Sequence, residues 1–207
     1  MFGLDVLHRR KVFIWNDEES VHWSSDGESC NRSQIRSLRS CDVSPHADNA
    51  EMRLTLLRHG PAVDQEKWSG ADAERPLTES GNELTTATIK ATRHLIKAVE
   101  IWTSPWVRAR QTAELASSIW KLPLREMDWL AGESMPAPER AARLQPHTDV
   151  VLVGHEPDFS DLVRFLCGGR IELKKSGLVV LKGTPRQGEM VLRSLLTPKQ
   201  MMELADG

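Results

Sequence analysis

From residue 52 onward, short continuous apolar runs alternate with segments whose apolar residues recur at helical spacing. Arg53-Leu54-Thr55-Leu56-Leu57 breaks at Arg58-His59-Gly60-Pro61 and reads as a buried strand followed by a turn. Leu84, Ala87, Thr88, Ala91, Leu95 and Val99 then recur on one helical face, with Thr78 as N-cap before Glu79. Glu100–Thr103 is a second short strand, and Ser104-Pro105 has the cap-then-proline signature of a helix start. The helix predicted there carries Ala109, Thr112, Ala113, Ala116 and Ile119 on one face. Residues 121–135 show no period, and 138–144 read as a short helix. Asp149-Val150-Val151-Leu152-Val153 is the most strand-like run, and a helix opening at Pro157 carries Phe159, Leu162, Val163 and Leu166. Residues 177–181 and Met190–Leu196 complete the set of strands, and 198–204 read as a terminal helix. Alternation of this kind predicts a three-layer α/β/α sandwich with a largely parallel central sheet.

Residues 1–51 do not share the pattern. They hold 6 Lys/Arg and 9 Asp/Glu, eight serines and two of the three cysteines, Cys30 and Cys41. No apolar period is sustained from Ser20 to Ala50, so this stretch buries little surface and is expected to be a disordered extension. Met52 stands immediately before the first clear strand, so a misplaced start is the alternative expectation. The expected domain is therefore 52–207, with 21 Lys/Arg against 20 Asp/Glu.

Composition narrows the function classes. Of 207 residues, 40% are apolar and 27% charged, ordinary for a globular chain that buries roughly 70% of its unfolded surface. A net charge of −2 gives no general attraction to nucleic acid or to anionic membrane. No apolar run approaches the ~20 residues of a bilayer span, and Val12-Phe13-Ile14-Trp15 is too short for a signal peptide. An odd number of cysteines argues against a disulfide framework, and Cys30 and Cys41 lack the second ligand pair of a zinc site. The expectation is a cytoplasmic protein with no cofactor, no metal, and neither nucleic acid nor membrane as partner.

Three segments carry candidate chemistry. Arg58-His59-Gly60 follows the first strand, where open α/β sheets bind ligands. An imidazole nitrogen there suits attack on phosphorus, and the planar fork of Arg58 suits phosphoryl oxygens. In Ser104-Pro105-Trp106-Val107-Arg108-Ala109-Arg110-Gln111-Thr112-Ala113, Arg108 falls in a first helical turn. A cation is mildly unfavourable at that end unless an anion binds, whereas Arg110 points elsewhere and reads as solvated. Val151-Leu152-Val153-Gly154-His155-Glu156-Pro157 delivers a second histidine at a strand end. Each segment alone fits an ordinary turn or surface arginine. Together, two histidines and two arginines converging at one sheet edge make a cationic, phosphate-sized constellation.

Leu57-Arg58-His59-Gly60, the segment from Ser104 to Ala113 and Gly154-His155 resemble, in order and spacing, the histidine phosphatase superfamily. The resemblance runs from about Met52 to Leu196 and includes Arg75-Pro76-Leu77-Thr78 with Gly81. In compact size it is most similar to the small SixA-type phosphohistidine phosphatases, and it implies the phosphoglycerate mutase-like fold. It implies that His59 becomes phosphorylated, that Arg58, Arg108 and His155 bind the phosphoryl group, and that water cleaves the intermediate. The partner implied is a phosphorylated protein or small phosphorylated substrate; the oligomeric state is not given.

One departure bears on the substrate. Mutases and many phosphomonoesterases of this superfamily supply a carboxylic acid to the leaving alkoxide. Here the candidate general acids are Glu126, Asp128 and Glu133, in a segment without the usual Glu-Gly-rich pattern, and all three read better as solvated loop charges. Asp64 and Asp72 are weaker candidates. Without an acid, phosphohistidine is favoured, because imidazole leaves far more readily than an alkoxide. A broad phosphomonoesterase of the same fold and a non-catalytic phospho-ligand module are the alternatives. The remaining tryptophans, Trp106 among them, read as core or pocket-rim packing, Lys174-Lys175 as a solvated turn and Cys167 as a small core residue.

Overall fold

In the computed structural model, residues 51–132, 135–145 and 148–204 are described. The expectations for 1–51 thus lie outside the described residues, apart from Glu51.

Six strands form one sheet: β1 (Met52–Arg58), β2 (Glu100–Thr103), β3 (Leu124–Glu126), β4 (Val150–Gly154), β5 (Leu178–Gly183) and β6 (Met190–Leu196), in the order β3-β2-β4-β1-β5-β6. The β1–β4, β2–β4 and β2–β3 pairs are parallel, and β5 alone runs against its neighbours β1 and β6. The sheet is therefore mostly parallel, as the alternation predicts. β4 lies at the centre and every one of its residues is buried, which explains its unbroken apolar run.

Among the described residues, five helices cover the sheet: α1 (Glu79–Ala91), α2 (Val107–Trp120), α3 (Ala137–Ala142), α4 (Asp158–Cys167) and α5 (Pro198–Glu203). Strand side chains alternate between two cores. Leu54, Leu56, Val150 and Leu152 pack with Phe159, Leu162, Val163 and Leu166 of α4 and Ala141 of α3. Leu57, Val151 and Val153 face the other way, onto Ile89 of α1, Ala109, Ala113 and Ala116 of α2 and Met201 of α5. Among the described residues, no helix is long and apolar enough to cross a membrane.

Three expectations change. The helix after β2 begins at Val107, not Pro105, because the Ser104 hydroxyl accepts from Trp106 N–H and reaches His155 instead of capping a helix. Within 121–135, Leu-Arg-Glu forms edge strand β3, whose order comes from pairing with β2 rather than from its own polarity pattern. α1 ends at Ala91, leaving Leu95 and Val99 exposed, and its buried face is Gly81, Thr85, Thr88 and Ile89. The threonines of that face tolerate burial because the Thr85 and Thr88 hydroxyls donate back to the carbonyls of Gly81 and Thr85.

Candidate active site

Three strand ends meet at one level. His59 N–H donates to the Gly154 carbonyl and Ser104 N–H to that of Val153, each at 3.0 Å. The ladder thus runs one residue past β1 and β2, which brings His59 level with His155 and Ser104 level with the preceding Gly154. The ring centroids of His59 and His155 are 5.1 Å apart.

The turn after β1 is tied to both neighbouring helices. Gly60 N–H donates to Thr112 Oγ1 of α2 at 3.0 Å, and that hydroxyl donates to the Arg108 carbonyl at 2.8 Å. A Cβ at residue 60 would lie 2.1 Å from Thr85 Oγ1 of α1, so glycine is what lets the helix close on the turn. His59 Nδ1 lies 2.8 Å from the Gly60 carbonyl oxygen. A carbonyl only accepts, so Nδ1 carries the proton and Nε2 presents its lone pair. Arg108 Nε–H donates to that Nε2 at 3.3 Å.

Both histidines are buried and neutral. Burial pushes His59 down to about 3; the Gly60 hydrogen bond opposes this, and the charges of Arg108 and Arg58 add to it. Burial likewise pushes His155 down to about 3, helped by His59 and Arg108. Neutral imidazole is the form a nitrogen nucleophile requires.

A cavity of about 340 Å³ opens onto these groups, lined by Arg58, His59, Arg108 and His155 together with Asp72 and Trp106, among others. Arg108, only 4% exposed, donates from Nη1 to the Asp72 carbonyl at 2.7 Å and from Nη2 to its carboxylate at 3.0 Å. Its guanidinium also stacks 4.4 Å from the Trp106 ring centroid. Burial pushes the Asp72 carboxyl up, but the Arg75 hydrogen bond and the Arg108 charge outweigh it and hold the group below its usual value. Arg58 donates from Nη1 to the Leu173 carbonyl at 2.7 Å, and its Nε is buried without a partner. The cavity wall thus presents guanidinium and imidazole groups suited to a tetrahedral oxyanion. Among the described residues, no cluster of three or more His, Cys, Asp or Glu is placed to hold a metal.

The structure brings Arg58, His59, Arg108 and His155 into one pocket. It does not bring the candidate acids Glu126 and Asp128 there. Glu126 is exposed on edge strand β3, 3.9 Å from Arg110, and Asp128 is exposed as well; neither lines the cavity. Glu133 lies outside the described residues. Asp64 is exposed and paired with Lys67. Among the described residues, the carboxylates that line the cavity are Asp72, Glu156 and Asp158. Of these, sequence reasoning weighed only Asp72 as an acid, and as a weak one; Glu156 entered only as part of the third segment, and the Asp72–Arg75 pair at i, i+3 was missed as a signal. Trp106 and Lys175, read as rim packing and as a solvated turn, both reach the cavity.

Residues 54–156 match the model of the histidine phosphatase superfamily (branch 1). An uncharacterized protein of Picosynechococcus sp. is 33% identical over 142 residues, 63% of this chain and 85% of that protein. The fold is similar to SixA from Agrobacterium tumefaciens, with a TM-score of 0.60 and 22% identity over 70% of this chain and 97% of that one. It is also similar to the protein histidine phosphatase SixA complexed with tungstate, with a TM-score of 0.63 and 21% identity over 72% and 98%.

Proposed function

The chain belongs to the histidine phosphatase superfamily and has its phosphoglycerate mutase-like fold, and from that premise we propose that it hydrolyses phosphohistidine, or a related small phosphorylated substrate, through a covalent intermediate on His59. The observation that carries this reading is His59 itself. Its Nδ1 is held on the Gly60 carbonyl, and its Nε2 lone pair faces Arg108 in a pocket shared with Arg58 and His155.

The chemistry balances without a proton donor. The Nε2 lone pair forms a bond to phosphorus as the P–N bond of a phosphohistidine protonated on its other ring nitrogen breaks, and that ring departs as neutral imidazole. Because Gly60 keeps the proton on Nδ1, the phosphorylated His59 ring is cationic and is itself poised to leave as neutral imidazole. Water then adds to phosphorus, releasing dihydrogen phosphate and restoring His59. Arg58, Arg108 and His155 hold the phosphoryl oxygens in both steps, where positioning and charge neutralisation matter more than covalent help.

A second reading has one observation in its favour. Burial raises the Glu156 carboxyl above its usual value, and its Oε1 is buried without a partner in the cavity wall. A protonated Glu156 would supply the proton that an alkoxide leaving group needs, as in a phosphomonoesterase.

One experiment tests both. Phosphohistidine protein and a panel of phosphate monoesters, each carrying labelled phosphate, are offered to wild type and to His59→Ala. Label trapped on wild type alone, with turnover fastest on phosphohistidine, is the expected result. Faster turnover of monoesters favours the second reading. Tight phosphate binding without turnover or trapped label would sink the enzyme altogether.

A further inference from the structure

Ser104 is fully buried, and its hydroxyl has two neighbours. Trp106 N–H donates to Oγ at 3.2 Å, and His155 Nε2 lies 2.8 Å away. A backbone N–H can only donate, so Trp106 takes one acceptor site of the oxygen and leaves the hydroxyl proton free. Two proton placements remain for His155. If Nε2 carried the proton, both it and Trp106 would donate to Oγ, stranding the buried Ser104 hydroxyl proton and leaving the His155 Nδ1 lone pair unmatched. If Nδ1 carries it, the Ser104 hydroxyl donates to Nε2 and one group remains without a partner, the Nδ1–H. Nδ1 is buried and has no protein partner, on a ring that lines the cavity. Stranded polar groups carry a penalty of roughly 1–3 kcal/mol each, which favours the second placement.

That placement also suits an anion. Phosphoryl oxygens only accept hydrogen bonds, and a neutral imidazole has one N–H to give. Resting on the phosphatase reading for its ligand, we propose that Ser104 is a positioning residue that fixes His155 as the Nδ1–H tautomer, with Nδ1–H as its donor to the phosphoryl group. Both histidines then carry their proton on Nδ1 and play opposite parts. His59 turns its bare Nε2 to phosphorus, and His155 turns its N–H to an oxygen.

Two measurements test this. The first is the tautomer itself, read by long-range proton–nitrogen correlation on nitrogen-15-labelled protein at neutral pH. Wild-type His155 should show a protonated Nδ1 and a bare Nε2, and Ser104→Ala should move the proton to Nε2 in part or in full. The same variant should weaken inorganic phosphate binding about tenfold, the scale of one charge-assisted hydrogen bond. The second is a pair of His155 variants assayed for phosphate affinity. The side-chain nitrogen of asparagine falls near Nδ1 and that of glutamine near Nε2, so His155→Asn should bind phosphate more tightly than His155→Gln. A wild-type Nε2–H tautomer, an unmoved tautomer in Ser104→Ala, or tighter phosphate binding by His155→Gln would each overturn the proposal. None of these readouts needs turnover, so failure of the phosphatase reading alone would appear as intact tautomer and binding results without trapped label on His59.

Discussion

Arg108 is the most heavily committed residue of the pocket. Its guanidinium donates to His59 Nε2, to the Asp72 carbonyl and to the Asp72 carboxylate. A phosphoryl dianion entering the site competes with that carboxylate for the same donors and is repelled by it. Replacing Asp72 with Asn removes the repulsion while keeping a similar shape. Inorganic phosphate should therefore bind Asp72→Asn about three- to tenfold more tightly than wild type, a modest gain because the carboxylate is partly solvated and screened. Calorimetric titration at low salt measures it, and unchanged or weaker binding would mean that Asp72 acts by aiming Arg108 instead. Such side-chain roles were unevenly legible. Arg58, His59 and His155 stand directly at strand ends, where position follows from the strand pattern alone. Asp72 and Arg75 sit in the loop between β1 and α1, and they reach the pocket because that loop folds back through the Ala62–Leu77 bridge. Nothing local to 61–78 specifies that closure. Ser104 was legible only as a cap, since its histidine partner lies 51 positions away.

At the level of elements, the site depends on α2 being fastened to the end of β1. The tie is Thr112, which accepts from Gly60 N–H and donates to the Arg108 carbonyl one turn earlier. Thr112→Val keeps the volume and removes both bonds. The Gly60 N–H is then buried without a partner, so unfolding in urea should show a loss of about 1–3 kcal/mol. Turnover should fall more than phosphate affinity, because the freed turn carries His59, the proposed nucleophile, while Arg108 keeps its Asp72 contacts. Full stability together with full activity would show the tie to be dispensable. Helical spacing placed Thr112 on the inward face with Ala109 and Ala113, but its partner just past the end of β1 could not be read from one helix. The same limit runs through the fold. β2 and β6 match their expected bounds, and β4 departs by one residue at each end, since continuous apolar runs mark buried strands directly. β3 and the start of α2 depart, because the first is ordered by its neighbour and the second by a hydroxyl engaged elsewhere.

At the level of the whole molecule, packing two uncharged histidines at the ends of the two middle strands makes stability depend on pH. Both are pushed down to about 3 in the folded protein, against an ordinary value near 6.5. Between those limits the unfolded chain binds protons that the folded chain does not, and stability rises with pH. The contribution of the pair is fully present above 6.5 and is lost progressively as pH falls towards 3. Asp72, held low by its arginines, acts in the same direction at more acid pH, whereas Glu156 and Asp158, both raised by burial, act against it. The histidine share is therefore best isolated as a difference between proteins. Urea unfolding at pH 7.5 and 4.5 should show wild type losing about 2 kcal/mol more than His59→Asn over that interval, since only wild type must keep a proton off residue 59. His155→Asn should flatten the dependence by a similar amount. Parallel losses in wild type and both variants would mean that the histidines take up protons while folded. A protonated His59 has no lone pair for phosphorus, so activity would then fall as pH drops through 6.5 instead of persisting below it.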